Sequence, residues 1–173
     1  MAEPVTEKSG EEESELLLDE NQLRANEFFV TDSDELLWRQ VHPKHVQHER
    51  IVDGSAFAEI VQSVAMQGVP TSRDEVSVSR ESRVTAQSAH EDWLSRDKSS
   101  HGTFAISVSE VYEVGGRVID DSACLGPADV PGHAIADLRP ITQSPTYTSR
   151  KLKKAQSTLA AYATYRGKQF PVD

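Results

Sequence analysis

The sequence predicts an α+β fold: one compact domain with a largely antiparallel sheet and flanking helices. Three observations predict it. Several short segments alternate apolar and polar residues with period two, as half-buried strands do. Others place apolar residues at i, i+3, i+4 and i+7, as one face of a helix does. The two kinds follow one another without the regular βαβ alternation that a parallel sheet requires. A chain of 173 residues matches the size of one domain.

In chain order, Glu15 to Arg24 has room for one or two helical turns. Leu36 to Val41 reads either as a strand or as a short helical element capped by Asp32 or Ser33, with Pro43 ending it. Phe57, Ile60, Val61 and Val64 form one helical face between Asp53, a capping residue, and Gly68, a stop. Val76 and Val78 alternate with Ser77 and Ser79, the pattern of a strand buried on one side. Ala86, Ala89, Trp93 and Leu94 give a second helix starting near Thr85. Phe104, Ile106 and Val108 return to period two, and the slip before Val111 predicts a β-bulge. Gly115-Gly116 is a hairpin signal leading to a strand at Val118 and Ile119. Residues 122 to 132 hold two prolines and two glycines and predict a loop. His133 to Arg139 alternates as a further strand, and Ile141 to Ser149 is a connector. Leu152, Ala155, Leu159 and Tyr162 mark a last helix from about Ser149 to Arg166, with Gly167 at its cap.

Charge divides the chain into three parts. Residues 1–20 carry eight acids against Lys8, a net −7 out of −10. They predict a disordered acidic arm. Residues 21–148 form the α+β core. Residues 149–173 are a basic helix and tail, in which Arg150, Lys151, Lys153, Lys154, Arg166 and Lys168 are offset only by Asp173, a net +5. An acidic body argues against general nucleic-acid binding, which needs a clustered positive surface. Only the C-terminal basic helix could serve that purpose. Four of its cations crowd the N-terminal turns, where the helix dipole is already positive and they cost stability. Lys151, Lys153 and Lys154 are therefore candidate contacts to an anionic or protein partner; an ordinary solvated face is the plain alternative. Cys124 is alone, which excludes an intrachain disulfide and suits a reducing compartment. No apolar secretory segment and no run near the ~20 apolar residues of a membrane span is present. The expected setting is soluble and cytoplasmic.

The order Leu37-Trp38-Arg39, then His42-Pro43, then Val76-Ser77-Val78, then Ser82 and the run Thr85-Ala86-Gln87-Ser88-Ala89-His90-Glu91 resembles the RES-domain family over residues 36–93. That resemblance implies an ADP-ribosyltransferase-like fold that consumes NAD, often as a toxin paired with an antitoxin. It implies Arg39, Ser82 and Glu91 as the catalytic set. A guanidinium would clamp the cofactor's phosphates, and a carboxylate would stabilise the cationic ribose as nicotinamide leaves. The plain alternative is that Arg39 pairs with a carboxylate, Ser82 caps a helix and Glu91 is solvated. His42, Ser77 and Ser79 are candidate binding residues of the same stretch.

His42, His45 and His48 fall at i, i+3 and i+6, spread over about 120° of helical arc, too wide to share one metal ion undistorted. No metal is expected. His101 and His133 are isolated, and the absence of a Gly-x-Ser-x-Gly elbow removes any expectation of a serine-hydrolase triad. Taken together, the residues favour a bacterial-type interaction protein that binds a protein partner or a nucleotide without turnover, with no cofactor assigned. The NAD-consuming enzyme is the alternative.

Overall fold

The computed structural model describes residue 23 and residues 26–58, 74–124 and 130–172. The expected acidic arm, and Ile60 to Gly68 of the expected helix after Asp53, lie outside these residues. Six strands form one sheet: β1 (Phe28–Phe29), β2 (Leu36–Val41), β5 (Glu75–Arg80), β6 (Gly102–Ser107), β7 (Arg117–Asp120) and β8 (His133–Asp137). Their spatial order is β1-β7-β8-β5-β2-β6, and every neighbouring pair is antiparallel. A small separate ribbon pairs β3 (Val46–Gln47) with β4 (Arg50–Ile51). Among the described residues the helices are α1 (Ala86–Ser95), α2 (Val108–Glu113), α3 (Arg139–Thr142) and α4 (Ser149–Arg166). The fold is α+β, as the periodicities predict.

The strand register sorts side chains onto two faces. Leu37, Val76, Val78, Phe104, Ile106, Val118, Ala134 and Ala136 share one face. They form the main core with Leu159, Ala160 and Ala163 of α4. The basic C-terminal helix is thus packed into the core through its apolar stripe, with Arg150, Lys151, Lys153 and Lys154 on the outside and Arg166 bonded to Glu110 and the Ala105 carbonyl. On the opposite face α1 lays Ala89 over Trp38 and Ala105. The rest of that face holds Glu75, Ser77, Ser79, Arg117, His133 and Asp137, together with buried Ile119 and Ile135.

Several local expectations change for identifiable reasons. The pattern slip after Ile106 is no bulge. Ser107 ends β6 and caps α2, its hydroxyl accepting from the Glu110 N–H while the Glu110 carboxylate accepts from the Ser107 N–H. The signal was a Ser-x-x-Glu capping box. Gly115-Gly116 is a turn but not a hairpin, since it carries the chain from α2 into β7, which pairs with β1 and β8. Gly115 needs its positive φ of 93°. A Cβ on Gly116 would lie 2.9 Å from the Asp137 carbonyl oxygen. The helix expected from Asp53 is capped there but lasts only through a 3-10 turn at Gly54–Phe57, with Ala58 extended. The carbonyls of Ala56 and Ala58 accept hydrogen bonds from Arg39. Leu36 to Val41 resolves to the strand. Thr85 and Thr148 cap α1 and α4, and Gly167 ends α4 with φ 85°.

One ionic cluster ties the strand ends together on the core face. Arg80 donates to both Glu35 carboxylate oxygens, at 3.0 and 2.7 Å, and to Asp120 at 2.7 Å. Ser82 donates to Glu35 and Ser122 to Asp120. Burial opposes ionisation of both acids. The hydrogen bonds from Arg80 and the two serines outweigh it and hold both carboxyls below their ordinary values. Beyond α4, Gln169 and Phe170 exchange backbone hydrogen bonds with Thr103 and so cover the β6 edge.

Candidate functional site

The structure does not gather Arg39, Ser82 and Glu91 at one place. Arg39 extends on the core face of β2 and donates to the carbonyls of Ala56, Ser77 and Ala58, at 2.9, 2.9 and 3.3 Å. These three carbonyls make it a clamp between β5 and the segment after Asp53. Ser82 sits in the turn after β5 and bonds to Glu35; the cap of α1 is Thr85. Glu91 lies exposed on α1, across the sheet from Arg39, and accepts from Gln87 at 2.8 Å.

The histidines also separate. His42 caps a 3-10 turn at Pro43–His45 through its ring nitrogen, which accepts from Lys44 N–H. His45 is buried against Asp53; burial outweighs that carboxylate and lowers the imidazole pKa. His48 occupies the left-handed turn between β3 and β4, with φ 49°. Among the described residues no group of His, Cys, Asp or Glu is placed to hold a metal ion.

Ser77 has the most distinctive surroundings. Its hydroxyl lies 2.6 Å from His133 Nε2, and His133 Nδ1 lies 2.6 Å from the Asp121 carboxylate. In the tautomer that places the ring proton on Nδ1, toward Asp121, Nε2 offers a lone pair to the Ser77 O–H. Asp121 and His133 expose only 5% and 14% of their side chains, which keeps the ion-dipole contact out of bulk water. Ser79, one step along β5, stands opposite His133. Toward the other end of β5, Arg139 bonds to Asp137 at 2.8 Å and to Glu75 at 3.0 Å, and Arg117 bonds to Asp137 at 2.8 Å. That row is internally neutral.

No motif announces this arrangement. His133 stands 56 residues from Ser77 and 12 from Asp121, and three separate elements supply the three groups. Only the strand order β5 beside β8 beside β7 joins them. The alternation in β5 shows that Ser77 opposes the core face, and that is as far as local pattern reaches.

The second feature is a cleft of about 460 Å³ between the end of α2, α3 and α4. Val114, Pro140, Ile141 and Ala155 floor it, and Lys151 and Lys154 stand on its α4 wall. Lys151 is oriented by hydrogen bonds to the Thr146 carbonyl and hydroxyl, at 2.7 and 2.8 Å. Lys153 lies about 200° around the helix from Lys151 and does not line the cleft. Tyr162, also on α4, has its pKa raised by a hydrogen bond to Glu113 at the end of α2.

No protein-family model, curated protein or solved structure matches this chain. No helix among the described residues is long and apolar enough to cross a membrane. Function must therefore be argued from the two features themselves.

Proposed function

We propose that this chain is a cytoplasmic binding protein whose partner is a protein presenting an acidic segment with one apolar side chain, seated in the cleft between α2, α3 and α4. The observation that carries the reading is the wall of that cleft. Lys151 and Lys154 rise from the first turns of α4, where backbone N–H groups already make the potential positive. Cations placed against the helix dipole cost some stability, and an anionic occupant offsets that cost. The apolar floor supplies the second half of recognition, because an apolar anchor gains from leaving water while the rim charges fix orientation. Lone Cys124 agrees with a reducing compartment.

Fluorescence anisotropy with a labelled acidic peptide carrying one leucine tests the reading. Wild-type protein should bind it in preference to the same peptide with lysines replacing the acids. Reversing both charges, Lys151→Glu with Lys154→Glu, should weaken binding about tenfold, since two rim ion pairs contribute roughly 1.4 kcal/mol together. Equal binding of both peptides, or no change in the double variant, would overturn it.

A further inference from the structure

Independently of that cleft, the geometry points to a chemical activity on the opposite face of the sheet: Ser77, His133 and Asp121 form an acyl-transfer centre that hydrolyses small activated carboxylic esters, with Ser77 as nucleophile. In the tautomer with the ring proton on Nδ1, the hydrogen bonds run in a single direction, from Ser77 hydroxyl to His133 Nε2 and from His133 Nδ1 to Asp121. This is the polarity a serine nucleophile requires: a base that accepts a hydrogen bond from the hydroxyl, and a buried carboxylate fixing its tautomer.

The location of Ser77 adds two constraints. The ladder between β2 and β5 pairs Leu37 with Arg80 and Trp38 with Ser79, and it ends before Ser77. There the Ser77 carbonyl takes Arg39 Nη1 at 2.9 Å, which anchors the backbone of the nucleophile from the other face of the sheet. Arg39 is in this sense a positioning residue. Across the sheet from Ser77 the register runs through Ile135, Ile119 and Phe29. Ile135 and Ile119 are 5% and 0% exposed, so no open apolar channel leads away from Ser77 along that row. That row therefore offers no exposed apolar surface for a long acyl chain, and the substrate class is a short acyl ester.

The reaction balances without a cofactor. Ser77 Oγ bonds to the ester carbonyl carbon as its proton passes to His133 Nε2. The tetrahedral adduct collapses with cleavage of the carbon–alkoxide bond, and the leaving oxygen takes the proton from Nε2. Water then attacks the acyl-serine, giving a proton to Nε2. The bond to Ser77 Oγ breaks, Oγ regains that proton, and the carboxylic acid departs. Ser77 and His133 touch the reacting atoms; Asp121 orients the ring.

The full-length protein incubated with p-nitrophenyl acetate provides the test, read by nitrophenolate release and by peptide mass mapping of the acetyl adduct. The expected result is one acetyl group on Ser77 and a hydrolysis rate that falls at least about 100-fold in Ser77→Ala and His133→Gln. Asp121→Asn should lower the rate by a similar factor and alter its pH profile, since the amide can donate to Nδ1 and stabilise the wrong tautomer. Thermal melts of each variant separate loss of chemistry from loss of fold. Should a variant fail to fold, the adduct map on the wild-type chain still decides. Acetylation absent from Ser77, or a rate unchanged in folded Ser77→Ala, would overturn the assignment.

Discussion

The two faces of the central sheet are built from the same strands and follow opposite rules. On the face toward α4, side chains are almost all aliphatic or Phe, and the polar exceptions, Arg39, Arg80 and Asp120, are held by carbonyls or by each other. On the face beyond α1, the same strands present Ser77, Ser79, His133, Glu75, Asp137 and Arg117. The comparison teaches that stability and chemistry are divided by strand alternation. A residue's parity along β5 decides whether its loss costs folding free energy or polar function.

The largest effect expected is at the ionic cluster that closes the apolar face. Arg80→Met would leave Glu35 and Asp120, with side chains 5% and 0% exposed, buried without their cation. A loss of about 3–5 kcal/mol in urea unfolding is expected. A loss below about 1 kcal/mol would show that the cluster is not part of the folding core. Leu159→Ala, which empties the centre of the α4 contact, should cost about 2–5 kcal/mol.

Acid provides a graded version of the same experiment. In the unfolded chain Glu35 and Asp120 titrate near their ordinary values of 4.5 and 3.8. Their folded values are lower, so between the two the unfolded chain binds more protons and stability rises with pH. Their contribution is complete above the unfolded values and is lost as pH falls through the folded ones. His45 and His90, whose pKa values burial lowers from 6.5, contribute a separate loss that begins as pH falls below that value. The stability difference between wild type and Glu35→Gln should therefore stay constant from pH 7 to about 5 and shrink only below about 4.5. Chemical denaturation at stepped pH reads this directly, and a difference that changes between pH 7 and 5 contradicts the assignment.

Adjacent residues of β5 give the sharpest comparison of the faces. Val76→Ala should cost about 2 kcal/mol from lost burial and the cavity left behind. Ser77→Ala removes one hydrogen bond to a partly exposed imidazole and should cost about 1 kcal/mol or less. Equal costs would mean that the polar face is as tightly committed to folding as the apolar one. The smallest effect concerns charge at a distance. A chain truncated to begin at residue 21 loses seven net negative charges. It should bind heparin modestly more tightly at low salt, with the gain fading as the ~10 Å screening length at 0.1 M shortens. Identical binding by both chains at low salt would remove the acidic segment from any account of the basic helix.

Periodicity determined much of the fold by itself, because it reports a local fact: which side chains of a strand or helix share a face. It placed β2 as one of two readings, gave the alternation of β5 and β8, and located α1 and α4 with their Thr85 cap and Gly167 stop. It misread residues 107–116, where a Ser-x-x-Glu box and a glycine pair fit more than one local structure, and the position of β7 beside β8 resolves the ambiguity. The candidate sites divide in the same way. Lys151 and Lys154 stood out because the clash between cations and helix dipole is local. Tertiary structure alone decided that Arg39 clamps carbonyls and that Ser77 meets His133 and Asp121. Those contacts depend on strand order and register, which bring together residues that no short stretch of sequence places side by side.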